Sequence, residues 1–393
     1  MPDTRLFDLA PALDRLGTET AFEVLARAKA LEDQGRSILN LGIGQPDFPT
    51  PPHIVEAGIK ALRDGHHGYT AAAGIMPLRE AVAADVLRRL GVTIEPTQVV
   101  IVPGGKVTMY LAISMFGRPG VEILYPNPGF PIYESMIRYS GATPVALPLT
   151  AADGFAPSAA GILSRITPAT RLVILNSPAN PTGGVMAPAE VAALARGLAQ
   201  HPDVTILSDE IYGQLLRPGH VHASPVQHAE LSQRTILLDG WSKTYAMTGW
   251  RLGFGVWPKA LVPVVEKLAV NAHSCVNAAA QWAGIAALTG PQDYVAEMAR
   301  TFDRRQRTVV EGLNRLPGWT CVEPAGAFYA FPSISGLGLD ARTVQQRLLE
   351  ELGIATIAGT SFGQEGAGHI RLSCAAADET IAEALARLAR FRA

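Results

Sequence analysis

Short apolar runs alternate with helix-like stretches along most of this chain. The runs 99–102, 122–125, 171–175, 204–207 and 235–238 are brief and rich in Val, Ile and Leu. Continuous runs of this kind read as strands buried on both faces, as in a parallel sheet. Stretches rich in Ala, Leu, Glu and Arg, such as 18–34, read as helices. The alternation predicts an α/β fold. Nearly every strand-like run ends in a polar or Gly/Pro cluster. Ligands in open α/β sheets bind beyond the carboxyl ends of the strands, so chemistry is expected in those clusters.

The pattern changes at both ends. A short strand over 37–42 breaks at Gly42, Gly44 and Pro46, and the Pro-rich loop through Pro49, Pro51 and Pro52 marks a crossing between domains. From about residue 291 a long Arg- and Glu-rich helix is predicted over 294–316. Strand-like pieces follow at 327–331 and 369–373, then a closing helix over 379–391. The expected division is an N-terminal segment, 1–50, packing with the small domain; a large domain, 51–290; and a smaller α+β domain, 291–393.

Composition narrows the partners. The chain has 393 residues, 48% of them hydrophobic, enough to bury a large core. Its 33 basic and 35 acidic residues leave a net charge of -2, with no basic run, which argues against nucleic acid and for a small-molecule partner. The three cysteines, Cys275, Cys321 and Cys374, are too scattered for a disulfide framework or a C-x-x-C metal pair. His220 and His222 stand two apart with no third ligand in view, so no metal is expected. The opening Met1-Pro2-Asp3-Thr4-Arg5 has no signal-type core, and no apolar run reaches the ~18 residues of a membrane span. A soluble protein of the cytoplasm is expected, with no membrane partner.

The clusters after the strands carry the candidate chemistry. Ser242-Lys243 and Gly249-Trp250-Arg251 follow the run 235–238. A lysine nucleophile needs a site that makes its neutral amine accessible, and a cation eight residues on suits a phosphate. Standing alone, a lysine after a strand is more often a solvated surface residue. Asp209 and Tyr212 follow the run 204–207; a strand-end Asp is commonly a helix cap. Asn176-Ser177-Pro178-Ala179-Asn180-Pro181-Thr182-Gly183-Gly184 is a Pro/Gly turn after another strand. Gly104-Gly105-Lys106 lies between a strand and a helix, where glycines let backbone amides approach an anion; the spacing is not that of a Walker loop.

Taken together and in order, these blocks resemble the class I/II aminotransferases, which are fold type I pyridoxal phosphate enzymes. The resemblance runs from about Leu39 to Ser373 and looks closest to the aspartate aminotransferase-like branch. It implies a large domain built on a mostly parallel, seven-stranded type of sheet flanked by helices, with a smaller α+β domain beside it. It also implies pyridoxal 5'-phosphate as cofactor, held as a Schiff base on Lys243.

The resemblance assigns roles by position. Asp209 matches the partner of the pyridine nitrogen, which lets the ring accept electrons. Tyr212 and Asn180 match the contacts to the ring's phenolic oxygen, and Phe130 matches an aromatic stacked on the ring. Gly104, Gly105, Lys106 and Arg251 match the phosphate site. Gly240 stands where many relatives place a phosphate-binding serine, which leaves Ser242 as the hydroxyl at hand. Tyr69 matches a residue that reaches the neighbouring subunit's phosphate, implying a homodimer with shared sites. Arg371, with its bidentate fork, and Gly44 match the grip on the substrate's α-carboxylate. The implied reaction moves an amino group between an L-amino acid and a 2-oxo acid by a ping-pong route, with Lys243 as general base and then acid. A β-lyase, a decarboxylase or an oxidative deaminase on the same scaffold is the alternative. A cofactor-binding regulator would need an appended DNA-binding module, for which the resemblance leaves no room. No match is found for the second arginine that some dicarboxylate-specific relatives use. Phe22 and Glu23 lie in a segment that can border the substrate pocket in relatives.

Overall fold

A computed structural model describes residues 7–392. The opening stretch Met1–Arg5 lies outside them. Twelve strands are present in this range: β1 (Leu39–Asn40), β2 (Val99–Val102), β3 (Glu122–Asn127), β4 (Thr143–Pro148), β5 (Thr170–Asn176), β6 (Thr205–Asp209), β7 (Thr235–Gly240), β8 (Gly253–Val256), β9 (Tyr329–Ala330), β10 (Ile354–Ala355), β11 (Ile357–Ala358) and β12 (Ile370–Ser373).

Seven of them form one sheet in the order β2-β8-β7-β6-β5-β3-β4. Only β8 runs against the rest, pairing antiparallel with both β2 and β7. The apolar runs make the sheet because both of its faces are covered. In β5, Leu172 and Ile174 join the core on one face, with Met109, Ile113 and Tyr133 from the helices Lys106–Phe116 and Ile132–Ser140. The intervening Val173 and Leu175 join Leu194 and Leu198 of helix Pro188–Leu198 on the other. This is the period-two alternation of a strand buried on both sides.

Within this sheet two strands escape a reading of apolar runs, and each has a physical reason. The first, β4, carries Pro144 and Pro148 and lies at the edge of the sheet, where a missing backbone donor is tolerated. The second, β8, reads Gly-Phe-Gly-Val. A Cβ on Gly253 would sit 2.3 Å from the backbone nitrogen of Gly105, so glycine there lets the loop after β2 lie against the sheet.

Beyond Tyr294 a second core forms, with Val309 and Leu313 of helix Asp293–Asn314 packed against Ile370 and Leu372. Here β11, β12 and β9 form an antiparallel sheet in that order. In the N-terminal segment, β1 pairs parallel with β10, Leu39 opposite Ile354. That pairing carries the loop Leu41–Gln45 past β12 and so past Arg371.

Candidate active site

The carboxyl ends of β2, β3, β5, β6 and β7 open on one cavity of about 490 Å³. Every residue that the resemblance assigns to the cofactor or the substrate's carboxylate lines it except Gly104, which lies under Arg251, and Tyr69. Tyr69 is 94% exposed and stands outside it. Glu23 also stays at the surface, and Glu19, four residues earlier, lines the cavity instead.

Lys243 lies not in a loop but in a one-turn helix, Trp241–Thr244, directly after β7. The turn is pinned by Trp241, which is fully buried and donates its indole N–H to the Gly284 carbonyl at 3.1 Å. The Lys243 amine donates to the Gly44 carbonyl at 2.5 Å. Burial, with Arg371 and Arg251 nearby, lowers its pKa to about 8, against the opposing pull of Glu19 and Asp209. A side chain at residue 44 is excluded, because its Cβ would sit 2.3 Å from the Tyr329 hydroxyl.

Asp209 ends β6. Its Oδ2 accepts from the Tyr133 hydroxyl at 2.6 Å and its Oδ1 from the Ile211 amide at 3.2 Å. Burial raises its pKa to about 6, and those two donors hold it from rising further. The next residue, Glu210, is turned away, buried against His222 at 2.7 Å and Ser208 at 2.8 Å.

Arg371 is 4% exposed. Its guanidinium donates to Asn180 Oδ1 at 2.9 Å and to the Gly42 carbonyl at 2.5 Å. It lies over the rings of Tyr329 (4.7 Å) and Phe362 (4.8 Å), and its buried Nε has no partner. Asn180 is positioned in turn by Asn176, whose Oδ1 accepts from the Asn180 amide at 2.9 Å. Tyr212 and Tyr329 share a hydrogen bond at 2.8 Å between their hydroxyls.

The loop after β2 ends at helix Lys106–Phe116. Its first amides have no acceptor within the helix, and the Val107 amide donates instead to the Gly104 carbonyl at 3.0 Å. Gly104 takes φ +92°, and a Cβ there would come within 2.3 Å of Arg251 Nη2. The Lys106 side chain leaves this corner, pairing with Glu19 and lying 5.3 Å from the centre of the Phe130 ring.

Reading the sequence alone missed Tyr133, Tyr329 and the Glu19–Lys106 pair. The only local signal for Tyr133 was its place three residues after Phe130, whose ring it meets edge-on at 5.7 Å.

Residues 36–388 match the family described as aminotransferase class I and II. The chain is 35% identical to the aspartate aminotransferase of Geobacillus stearothermophilus, over 98% of each chain. It is 37% identical to the aspartate/prephenate aminotransferase of Cereibacter sphaeroides, again over 98% of each. Among solved structures, the aspartate aminotransferase of Thermus thermophilus with maleate superposes with a TM-score of 0.93 at 34% identity, covering 98% of this chain and 99% of that one. A family match over nearly the whole length, with relatives above one-third identity end to end, is decisive: the chain belongs to the class I and II aminotransferase family.

Proposed function

We propose that the residues gathered around Lys243 hold pyridoxal phosphate and carry out transamination in this cavity. The enzyme is a pyridoxal-phosphate-dependent aminotransferase, moving an amino group between an L-amino acid and a 2-oxo acid by a ping-pong route. The roles of individual residues, the domain division at residues 50 and 290, the homodimer and the cytoplasmic location are our inferences. Three unpaired cysteines, two of them buried, suit a reducing compartment. Among the described residues no helix is long and apolar enough to cross a membrane.

The residues fit the cofactor. Gly104, at φ +92°, leaves a Cβ no room beside Arg251, and around it lie the start of helix Lys106–Phe116, Arg251 and the Ser242 hydroxyl: a set suited to a phosphate. Arg371, with an unpartnered buried Nε, is suited to a carboxylate from outside.

When bound, the cofactor supplies a ring that takes up the electron pair of the substrate's Cα–H bond. Asp209, ionised at neutral pH because its pKa is about 6, would hold a proton on the ring nitrogen. Phe130 would cover a ring face, and Tyr212 and Asn180 would donate to the phenolic oxygen. Arg371, braced by Asn180 and stacked on Tyr329, receives the α-carboxylate bidentately and fixes the direction of the Cα–H bond. Gly44 leaves room for that carboxylate. Lys243 takes the α-proton on Nζ and returns it, a task suited to an amine whose pKa is about 8. The same arginine then serves the incoming 2-oxo acid, so the two half-reactions share one site.

The observation that carries this reading is the convergence of Lys243, Asp209, Arg251 and Arg371 on one cavity. The test is a panel of amino donors against 2-oxoglutarate, pyruvate and oxaloacetate. Stoichiometric amino transfer with parallel double-reciprocal plots is expected. Ammonia, carbon dioxide or peroxide as product would contradict it.

A further inference from the structure

The described lining of the cavity includes four cations, Lys106, Lys243, Arg251 and Arg371, and two acids, Glu19 and Asp209. The proposed function employs Lys243 for proton transfer, Arg251 for phosphate, Arg371 for the α-carboxylate and Asp209 for the ring nitrogen. Lys106 and Glu19 remain, and they are joined to each other. Glu19 stands at the N-terminus of helix Thr20–Asp33, with its side chain only 15% exposed. Lys106 opens the helix after β2 and also lies over the Phe130 ring. The cavity lining also includes the apolar Ala21 and Phe22, which follow Glu19 in the chain, and Phe130 beside Lys106.

We propose that Glu19 is a specificity-determining residue, closing the side-chain end of the cavity to a second carboxylate and selecting amino acids with uncharged, mainly apolar side chains. This inference rests on the transamination reading. A dicarboxylic donor gripped by Arg371 needs another cation for its second carboxylate. Lys106 is the one lining cation left, and Glu19 occupies it. To reach Lys106, such a donor must break the ion pair and set its second carboxylate against that of Glu19, whose side chain is largely buried. A neutral side chain leaves the pair intact and covers Phe22 and Phe130. Discrimination thus comes from a built-in repulsion as much as from attraction. The expected donors therefore differ from the aspartate for which several relatives are named.

The experiment separates binding from turnover. Succinate and 4-methylpentanoate, neither of which can donate an amino group, are titrated calorimetrically into the holoenzyme, and half-reaction rates are measured with aspartate and leucine. Wild type is expected to bind 4-methylpentanoate more tightly than succinate and to react faster with leucine. Glu19→Gln should shift both ratios toward the dicarboxylate by about tenfold or more, and adding Lys106→Met should erase the shift. A wild type that favours succinate and aspartate overturns the proposal. So does a Glu19→Gln ratio within about twofold of wild type. If no amino acid reacts yet the binding ratios behave as stated, the transamination reading fails and the charge assignment at Glu19 stands.

Discussion

At the scale of single residues, the site works by balancing burial against partners. Burial draws the Lys243 amine down to about 8 and pushes the Asp209 carboxyl up to about 6, so between those values Asp209 is charged while a useful fraction of Lys243 is neutral. The Tyr133 hydroxyl donates to Asp209 Oδ2 at 2.6 Å and the residue is fully buried, so the hydroxyl's effect on the reaction passes through that carboxylate. Its hydroxyl favours the ionised form. Tyr133→Phe removes that support, so the Asp209 pKa rises and the acid limb of kcat/KM against pH moves upward. At pH 8 the loss should stay within about a hundredfold, the worth of one hydrogen bond to a charged group. An unmoved limb with a uniform loss would assign Tyr133 to packing alone.

At the scale of elements, the carboxyl ends of the parallel strands position most of the residues proposed to hold the cofactor, Arg251 comes from the turn leading into β8, and glycines permit the close approaches. Gly104→Ala puts a methyl into the Arg251 guanidinium at a φ of +92°, unfavourable for any L side chain. The cofactor's dissociation constant should rise roughly tenfold or more, read by absorbance titration, while circular dichroism stays that of wild type. The core strands were legible in the sequence because both faces are apolar: β2 appears at its full length, and β5 and β7 extend the predicted runs by a residue or two. The edge strand β4, with its prolines, and the glycine-bearing β8 were not, because neither forms an apolar run. The motif residues were legible as an ordered set of strand-end clusters. Tyr329 and Tyr133 were not, because what matters in each is a hydroxyl aimed by tertiary packing. The Glu19–Lys106 pair joins positions 87 apart, a separation no local pattern reports.

At the scale of the molecule, exposure points outward from the site. Tyr69 at 94% and Leu62 at 53% stand at the surface beside a second cavity that also involves His66, His67 and Val276. A second copy of the chain would cover this face and bring Tyr69 to its neighbour's phosphate. Sedimentation should therefore give a dimer, and Tyr69→Phe should weaken cofactor binding by about tenfold without changing the mass. A monomer that binds the cofactor at full strength would contradict this.

The central claim is that Lys243 is the residue that holds the cofactor. Borohydride reduction of the native holoenzyme, followed by proteolysis and mass mapping, tests it without depending on turnover or substrate choice. The pyridoxyl mass should lie on the peptide containing Lys243 and be absent from the Lys243→Ala variant. A modification carried by Lys106 instead, or equal labelling of the variant, would contradict the account.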